Sequence, residues 1–269
     1  MKPVRPWERG YFGAVGLLAL SVGVCGFFLP GRAEKVLPFP VPPLHARFLG
    51  AMYLSGLTFM VGALVSRTWA EVRIVPPMTA IWTGGLLVVS LLHLDAFDIA
   101  EAQDQIWFAA YVAYPLIALW LTWQHRAHVH ERAPGPALPA WARAYLAGQG
   151  VVATVLGSLL LLAPDWMAGG WPWLITPLLA QLYSAPLLSY GVGSLLLSRQ
   201  QTWPEVRVCA VAMFVFASLV LAASLLHRGL FDAGEIADSA WFAAFSVATA
   251  GLAVLAAESI RGSIRRVTG

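Results

Sequence analysis

One stretch of this chain occurs twice, and that repetition constrains the fold more than any other feature. Ser90-Leu91-Leu92-His93 recurs as Ser224-Leu225-Leu226-His227. Trp107-Phe108-Ala109-Ala110 recurs as Trp241-Phe242-Ala243-Ala244. Between them, Phe97, Asp98, Glu101 and Asp104 match Phe231, Asp232, Glu235 and Asp238, always at an offset of 134 residues and without a gap. The offset holds outside this stretch too. Trp7, Arg9 and Tyr11 match Trp141, Arg143 and Tyr145, and Pro30 matches Pro164. Thr68-Trp69, Glu71 and Arg73 match Thr202-Trp203, Glu205 and Arg207. A tandem duplication accounts for this, with units 1–134 and 135–269.

Each unit carries four apolar runs. The expected spans are about 10–28, 46–66, 74–94 and 105–124, then about 143–162, 177–197, 208–227 and 240–260. A run of about 20 apolar residues crosses about 30 Å of hydrocarbon. The chain is 59% hydrophobic and only 12% charged, with a mean hydropathy of +0.70. Soluble domains average about 25% charged residues. The expected fold is therefore an all-α integral membrane protein: eight transmembrane helices in two tandem, parallel-oriented four-helix repeats. The first run is long enough to span and lacks a small-residue cleavage pattern, so it reads as an anchor and not a cleaved signal. An even number of spans per unit places the internal twofold axis along the membrane normal.

The basic residues lie at span ends, which suits membrane orientation and not nucleic-acid binding. One side collects 13 Lys and Arg, including Arg67, Arg73, Arg126, Arg199 and Arg207; the other has 4 (Arg32, Lys35, Arg47 and Arg228). The richer side is expected in the cytoplasm, with both termini. Eight tryptophans at span ends suit interfacial belts: Trp7, Trp69, Trp141 and Trp203 inside, Trp107, Trp171, Trp173 and Trp241 outside. Cys25 and Cys209 fall at opposite ends of the bundle and are not expected to form a disulfide.

Two motifs invite a functional and a structural reading. Thr68/Glu71 and Thr202/Glu205 have capping-box spacing, in which each end group satisfies the other's backbone N–H. Asp98/Glu101 and Asp232/Glu235 have it too, so these carboxylates can open the last helix of each repeat. Alternatively, His93, Asp98, Glu101 and Asp104, with His227, Asp232, Glu235 and Asp238, are candidate ligands for a divalent cation. His93 and His227 are also candidate axial ligands for a tetrapyrrole. Capping does not need these histidines, and a polar side chain near membrane depth is a functional candidate by default. Arg47 is a candidate contact for an anionic substrate or headgroup, with a snorkelling anchor as the plainer role. His125, His128 and His130 read as part of a solvated linker. Glycines at Gly13, Gly16, Gly84, Gly85, Gly191 and Gly193 suit close helix packing.

The spans hold no acidic or basic residue at mid-depth, and no nucleotide-binding or nucleophile motif is present. Their polar groups include Thr83, Gln149, Thr154, Ser158 and Ser189, with the rings of Trp82 and Trp120. Such a set fits either a neutral, lipid-like site or packing.

Arg47-Phe48-Leu49-Gly50-Ala51, the Trp-x-Glu-Val-Arg turns and the Leu-Leu-His-Leu-Asp-x-Phe-Asp run with Trp-Phe-Ala-Ala resemble an uncharacterised group of bacterial multi-spanning membrane proteins. The resemblance covers most of the chain. It implies a bacterial inner-membrane protein and carries no activity or site residue with it. The first functional expectation is a non-catalytic subunit or scaffold, with lipid and other membrane proteins as partners. The second is a transporter or binding protein for a small neutral or amphipathic molecule held between the halves. The third is a metal- or tetrapyrrole-binding protein using the histidine and acid clusters.

Overall fold

The computed structural model describes residues 2–39 and 41–264, with side chains through residue 262. Met1, Pro40 of the Pro-rich loop and the basic tail 265–269, with Arg265 and Arg266, lie outside the described residues. Nine α-helices are described: α1 (Pro6–Phe28), α2 (Pro43–Val65), α3 (Val75–Leu92), α4 (Ala102–Gln124), α5 (Ala140–Leu162), the short α6 (Pro164–Gly169), α7 (Pro177–Leu197), α8 (Trp203–Leu226) and α9 (Ile236–Ile264). No strand is present among the described residues, only two isolated bridges, Pro3–Thr68 and Ala137–Thr202.

Most helices start a turn earlier than apolarity alone predicts. In α1, α2 and α8 the early start coincides with Pro6, Pro43 and Pro204, whereas α3 and α7, with Pro76 and Pro177, start within one residue of the expected place; each of these prolines lies in the first turn. There the missing N–H is not needed and the fixed φ suits the helix. Seven helices are long and apolar enough to cross a bilayer: α1 to α5, α8 and α9. The 21-residue α7 is enclosed by its neighbours, with Leu182, Tyr183, Ser184 and Ala185 almost inaccessible. A helix that its neighbours shield from lipid can carry polar side chains toward them.

Helices pair as α1–α2 and α3–α4 in the first half, and as α5–α7 and α8–α9 in the second. The halves meet through α2–α8 and α3–α7. Shifting by 134 residues turns one of these joints into the other. Glycine sets the closest approach. A methyl group on Gly50 would run into the backbone of Gly26 and Phe27 in α1, and one on Gly191 into the backbone of Thr154 in α5. Gly13 faces open space and Gly84 has ordinary clearance, so these two do not serve close packing.

The matched positions make matched contacts. Val4 N–H donates to the Arg67 carbonyl (3.2 Å) and Leu138 N–H to the Gln201 carbonyl (2.7 Å). Tyr11 donates to the Tyr114 carbonyl (3.0 Å) and Tyr145 to the Ala248 carbonyl (3.2 Å). At the end of the bundle that holds residues 2–9, here the near end, two ion pairs cross between halves. Arg73 meets Glu205 at 3.1 Å, and Arg207 meets Glu71 at 3.1 Å. Cys25 and Cys209 are free thiols.

The tryptophans depart from the belt. Trp7 and Trp141 are exposed, but Trp69, Trp203, Trp107, Trp173 and Trp241 are buried. Their indoles fill gaps between helices, a use of aromatic volume that position in the sequence does not reveal.

Candidate functional site

The duplicated stretch closes on itself. Trp107 donates to Ser90 Oγ at 2.9 Å, and Trp241 to Ser224 Oγ at 2.9 Å. Both serines donate to the carbonyl four residues back, Leu86 and Val220. The acids fold the loop between. Asp104 accepts from Asp98 N–H and Asp238 from Asp232 N–H, both at 2.6 Å. Asp98 and Asp232 in turn accept from Ala100 N–H (3.0 Å) and Gly234 N–H (2.8 Å). The predicted Asp98/Glu101 capping box does not form, because the partner of Asp98 is Asp104 on the next turn. Glu101 and Glu235 are exposed. Among the described residues, no group of three or more His, Cys, Asp or Glu side chains stands close enough to hold a metal ion.

The two histidines leave these acids and reach across the halves. His93 Nε2 lies 2.6 Å from Gln181 Oε1. The Gln181 amide is oriented by its own N–H bond to the Leu161 carbonyl (2.9 Å), so His93 is the donor. His227 Nε2 meets the Arg47 guanidinium. Arginine only donates, so His227 accepts and carries its proton on Nδ1. Burial, then the Arg47 charge, holds the His227 pKa below the ordinary histidine value. Gln181 occupies the position of Arg47 in the other half, so that single divergence reverses the tautomer. Both Nε2 atoms, and Arg47, are thus committed to protein partners.

At the near end, His125 is not in a solvated linker. It is 2% exposed, stacks on Trp69 at 3.7 Å and contacts the fully buried Glu8 at 2.7 Å. Helix α1 begins early enough to carry Glu8 inside. Burial lowers the His125 pKa despite the Glu8 contact. Ala142 and Ser259 stand at the equivalent positions, so this pair is private to the first half.

The middle of the interface between halves is filled. Tyr183 packs on Phe48 (4.5 Å), Phe216 on Tyr190 (4.8 Å) and Phe59 on Tyr190 (6.0 Å). Ser55 accepts from Tyr190 (2.7 Å) and donates to the Ala212 carbonyl (2.6 Å). The expected binding place between the halves is therefore occupied by side chains.

Two hollows lie inside the halves, at equivalent positions and in unequal amounts. The first-half cleft has about 50 Å³ and is lined by Val15, Tyr53, Trp82, Tyr111 and Tyr114. The hydroxyls of Tyr53 and Tyr111 hydrogen-bond to each other. The second-half cleft has about 440 Å³ and is lined by Gln149, Leu187, Phe216, Phe245 and Ala248. These stand at the positions of Val15, Tyr53, Trp82, Tyr111 and Tyr114. Tyrosine to alanine at 248 removes the largest plug, and the mouth opens between exposed Val152 on α5 and Val247 on α9. The wall is mostly apolar; the Tyr145 and Tyr190 hydroxyls that also line it donate to the Ala248 carbonyl and to Ser55 Oγ, which leaves one polar group of note. Gln149 donates to Ser194 Oγ (3.0 Å) and Met213 Sδ (3.4 Å), while its buried Oε1 has no partner among the described residues. Gln149 is nine residues into α5, about 14 Å along the helix.

Gln149 is legible in the sequence as a mid-span polar group; the cleft is not. Comparing the halves position by position would have found it, since the three first-half tyrosines are absent from the second. Comparison of the chain with protein-family models, with curated proteins and with solved structures returns no match.

Proposed function

We propose that this polytopic membrane protein binds an apolar, hydroxyl-bearing molecule drawn sideways from the bilayer into the α5–α9 cleft. The observation that carries the reading is the inequality of two equivalent clefts, about 50 against 440 Å³, with an unpartnered amide oxygen in the larger. A buried amide oxygen without a hydrogen bond costs about 1–3 kcal/mol. A ligand hydroxyl at that depth removes the cost, and the walls accept a chain or ring system. Duplication explains the arrangement: one copy keeps its cleft plugged and stiffens the bundle, and the other is free to hold a guest.

The reading takes all eight long helices as spans, with α7 as the enclosed one, in two parallel repeats. It places the near end and both termini in the cytoplasm of a bacterial cell, in the inner membrane, from the Lys and Arg asymmetry and the sequence resemblance. The described lining is apolar side chains with Gln149, Tyr145 and Tyr190, and this supports binding or carriage. A scaffold role was the first expectation, from the absence of buried charge in the spans. The cleft favours binding instead, because a protein interface does not call for an apolar hollow with one buried acceptor.

The test is to purify the protein in a mild detergent, extract bound apolar molecules and identify them by mass spectrometry. One hydroxylated species near stoichiometric amount is expected. Ala248→Tyr, which restores the first-half plug, should abolish it. Only bulk phospholipid, equal in both proteins, would overturn the reading.

A further inference from the structure

A second hollow, separate from the α5–α9 cleft, opens at the near end between α2 and α8. It has about 480 Å³. Its upper rim carries Arg67 and Arg207, and its wall is Val61, Val65, Val208 and Ile260. Val61, Val65 and Ile260 are exposed, so the apolar wall runs out onto the flank of the bundle. The charges are unevenly committed. Arg207 is held 3.1 Å from Glu71 but stays 29% exposed. The Arg67 backbone is fixed by the Val4 N–H bond, while its exposed guanidinium donates to no group among the described residues. Two guanidinium groups against one carboxylate leave the rim net positive.

The other joint between halves shows what a closed version looks like. There Arg73 is spent on Glu205, Gln200 and the Glu131 carbonyl. Gln201 stands at the position of Arg67, and Leu196 at that of Gly62. The open joint therefore differs from its twin by an arginine with no hydrogen-bond partner among the described residues, and by Gly62, which lets α2 close tightly on Val208 of α8 beside the hollow.

From this geometry we infer that the α2–α8 joint binds the headgroup of an anionic phospholipid. The phosphate sits between Arg67 and Arg207, and one acyl chain lies along the valine wall. Arginine forks match phosphate oxygens. The apolar wall, continuous with the flank, selects a lipid over a soluble phosphate. Cationic side chains at a membrane surface favour anionic lipid.

The test is native mass spectrometry of the delipidated protein in detergent. It is titrated separately with phosphatidylglycerol, with phosphatidylcholine of the same chains and with inorganic phosphate. Phosphatidylglycerol should bind about tenfold more tightly than phosphatidylcholine, and inorganic phosphate should not compete at equal concentration. Arg67→Gln, which installs the residue of the closed joint, should reduce phosphatidylglycerol to the phosphatidylcholine level and leave the folded mass and helicity unchanged. Arg67→Lys should retain most of the preference. Arg199→Gln, a near-end arginine outside the hollow, should have no effect. Equal binding of the two lipids, displacement by phosphate, or equal loss with Arg199→Gln would each overturn the assignment. The α5–α9 cleft is read by Ala248→Tyr and not by Arg67→Gln, so failure at one place is distinct from failure at the other.

Discussion

Arg73 and Glu205 stand 3.1 Å apart across the two halves, and Arg207 and Glu71 repeat the contact in the opposite sense. Their settings differ. The Glu205 side chain is inaccessible and also accepts from the N–H groups of Ala133, Gln201 and Thr202. Arg207 remains partly exposed. Removing one member of a buried pair strands the other charge and costs about 3–5 kcal/mol, whereas an exposed pair contributes about 1 kcal/mol or less. Glu205→Ala should therefore lower unfolding stability in micelles by about 3 kcal/mol. Arg207→Gln should lower it by less, because Arg207 is partly exposed and the buried Glu71 carboxylate keeps its bond from the Thr68 hydroxyl (3.0 Å). Equal losses would mean the two joints are not unequally buried.

Gln149→Val places in the second half the residue that the first half carries as Val15. It removes the unpartnered amide oxygen along with the bond to Ser194. These effects oppose each other, so stability should move by less than about 1 kcal/mol. Affinity for a long-chain alcohol should fall about tenfold, the equivalent of one lost hydrogen bond. Thermal unfolding and equilibrium binding on the same preparations separate the two outcomes. Unchanged affinity would remove Gln149 from the site.

His125 gives the protein an acid limit. Its pKa in the folded state is held below the ordinary 6.5, mainly by burial. The unfolded chain therefore binds more protons as pH falls below that value. The stabilising contribution is present above pH 6.5 and is lost as pH drops toward the lower folded value. His227 acts in the same direction. Glu131, lowered by its bond to His128 and then by the Lys2 N–H, loses its contribution only below its ordinary 4.5. His125→Gln should flatten the upper part of a melting temperature profile taken between pH 7 and 5. A wild-type profile that rises on acidification would contradict the burial of a neutral His125.

Single cysteines report orientation. Cys25→Ala and Cys209→Ala make a thiol-free background. His130→Cys, exposed beyond α4, and Gly229→Cys, unobstructed beyond α8, lie at opposite ends of the bundle. In intact cells, an impermeant maleimide should label Gly229→Cys, and His130→Cys only after lysis. The reverse pattern would invert the proposed topology.

Much of this architecture was legible because bilayer chemistry forces it. Apolar runs of span length marked the helices, and the constant offset marked the contacts that recur, such as Trp107 with Ser90 and Trp241 with Ser224. What stayed hidden depends on tertiary placement. The acids of the duplicated stretch had the spacing of a cap, yet Asp104 reaches back to Asp98 because the loop turns before the helix begins. His125 was polar and lay in a linker, yet Trp69 and Glu8 enclose it. The cleft was hidden for another reason: a hollow is made by residues that are small. Ala248 says little until it is set against Tyr114.

The most direct measurement is photolabelling with a long-chain alcohol that carries a diazirine, followed by mapping of the modified peptides. The account predicts adducts on α5 and α9 around Gly148, Val152 and Val247, competed by unlabelled alcohol and lost in Ala248→Tyr. Tyr114→Ala, which unplugs the first-half cleft, should gain adducts on α1 and α4. Labelling spread evenly over all exposed helices, unmoved by either substitution, would contradict it.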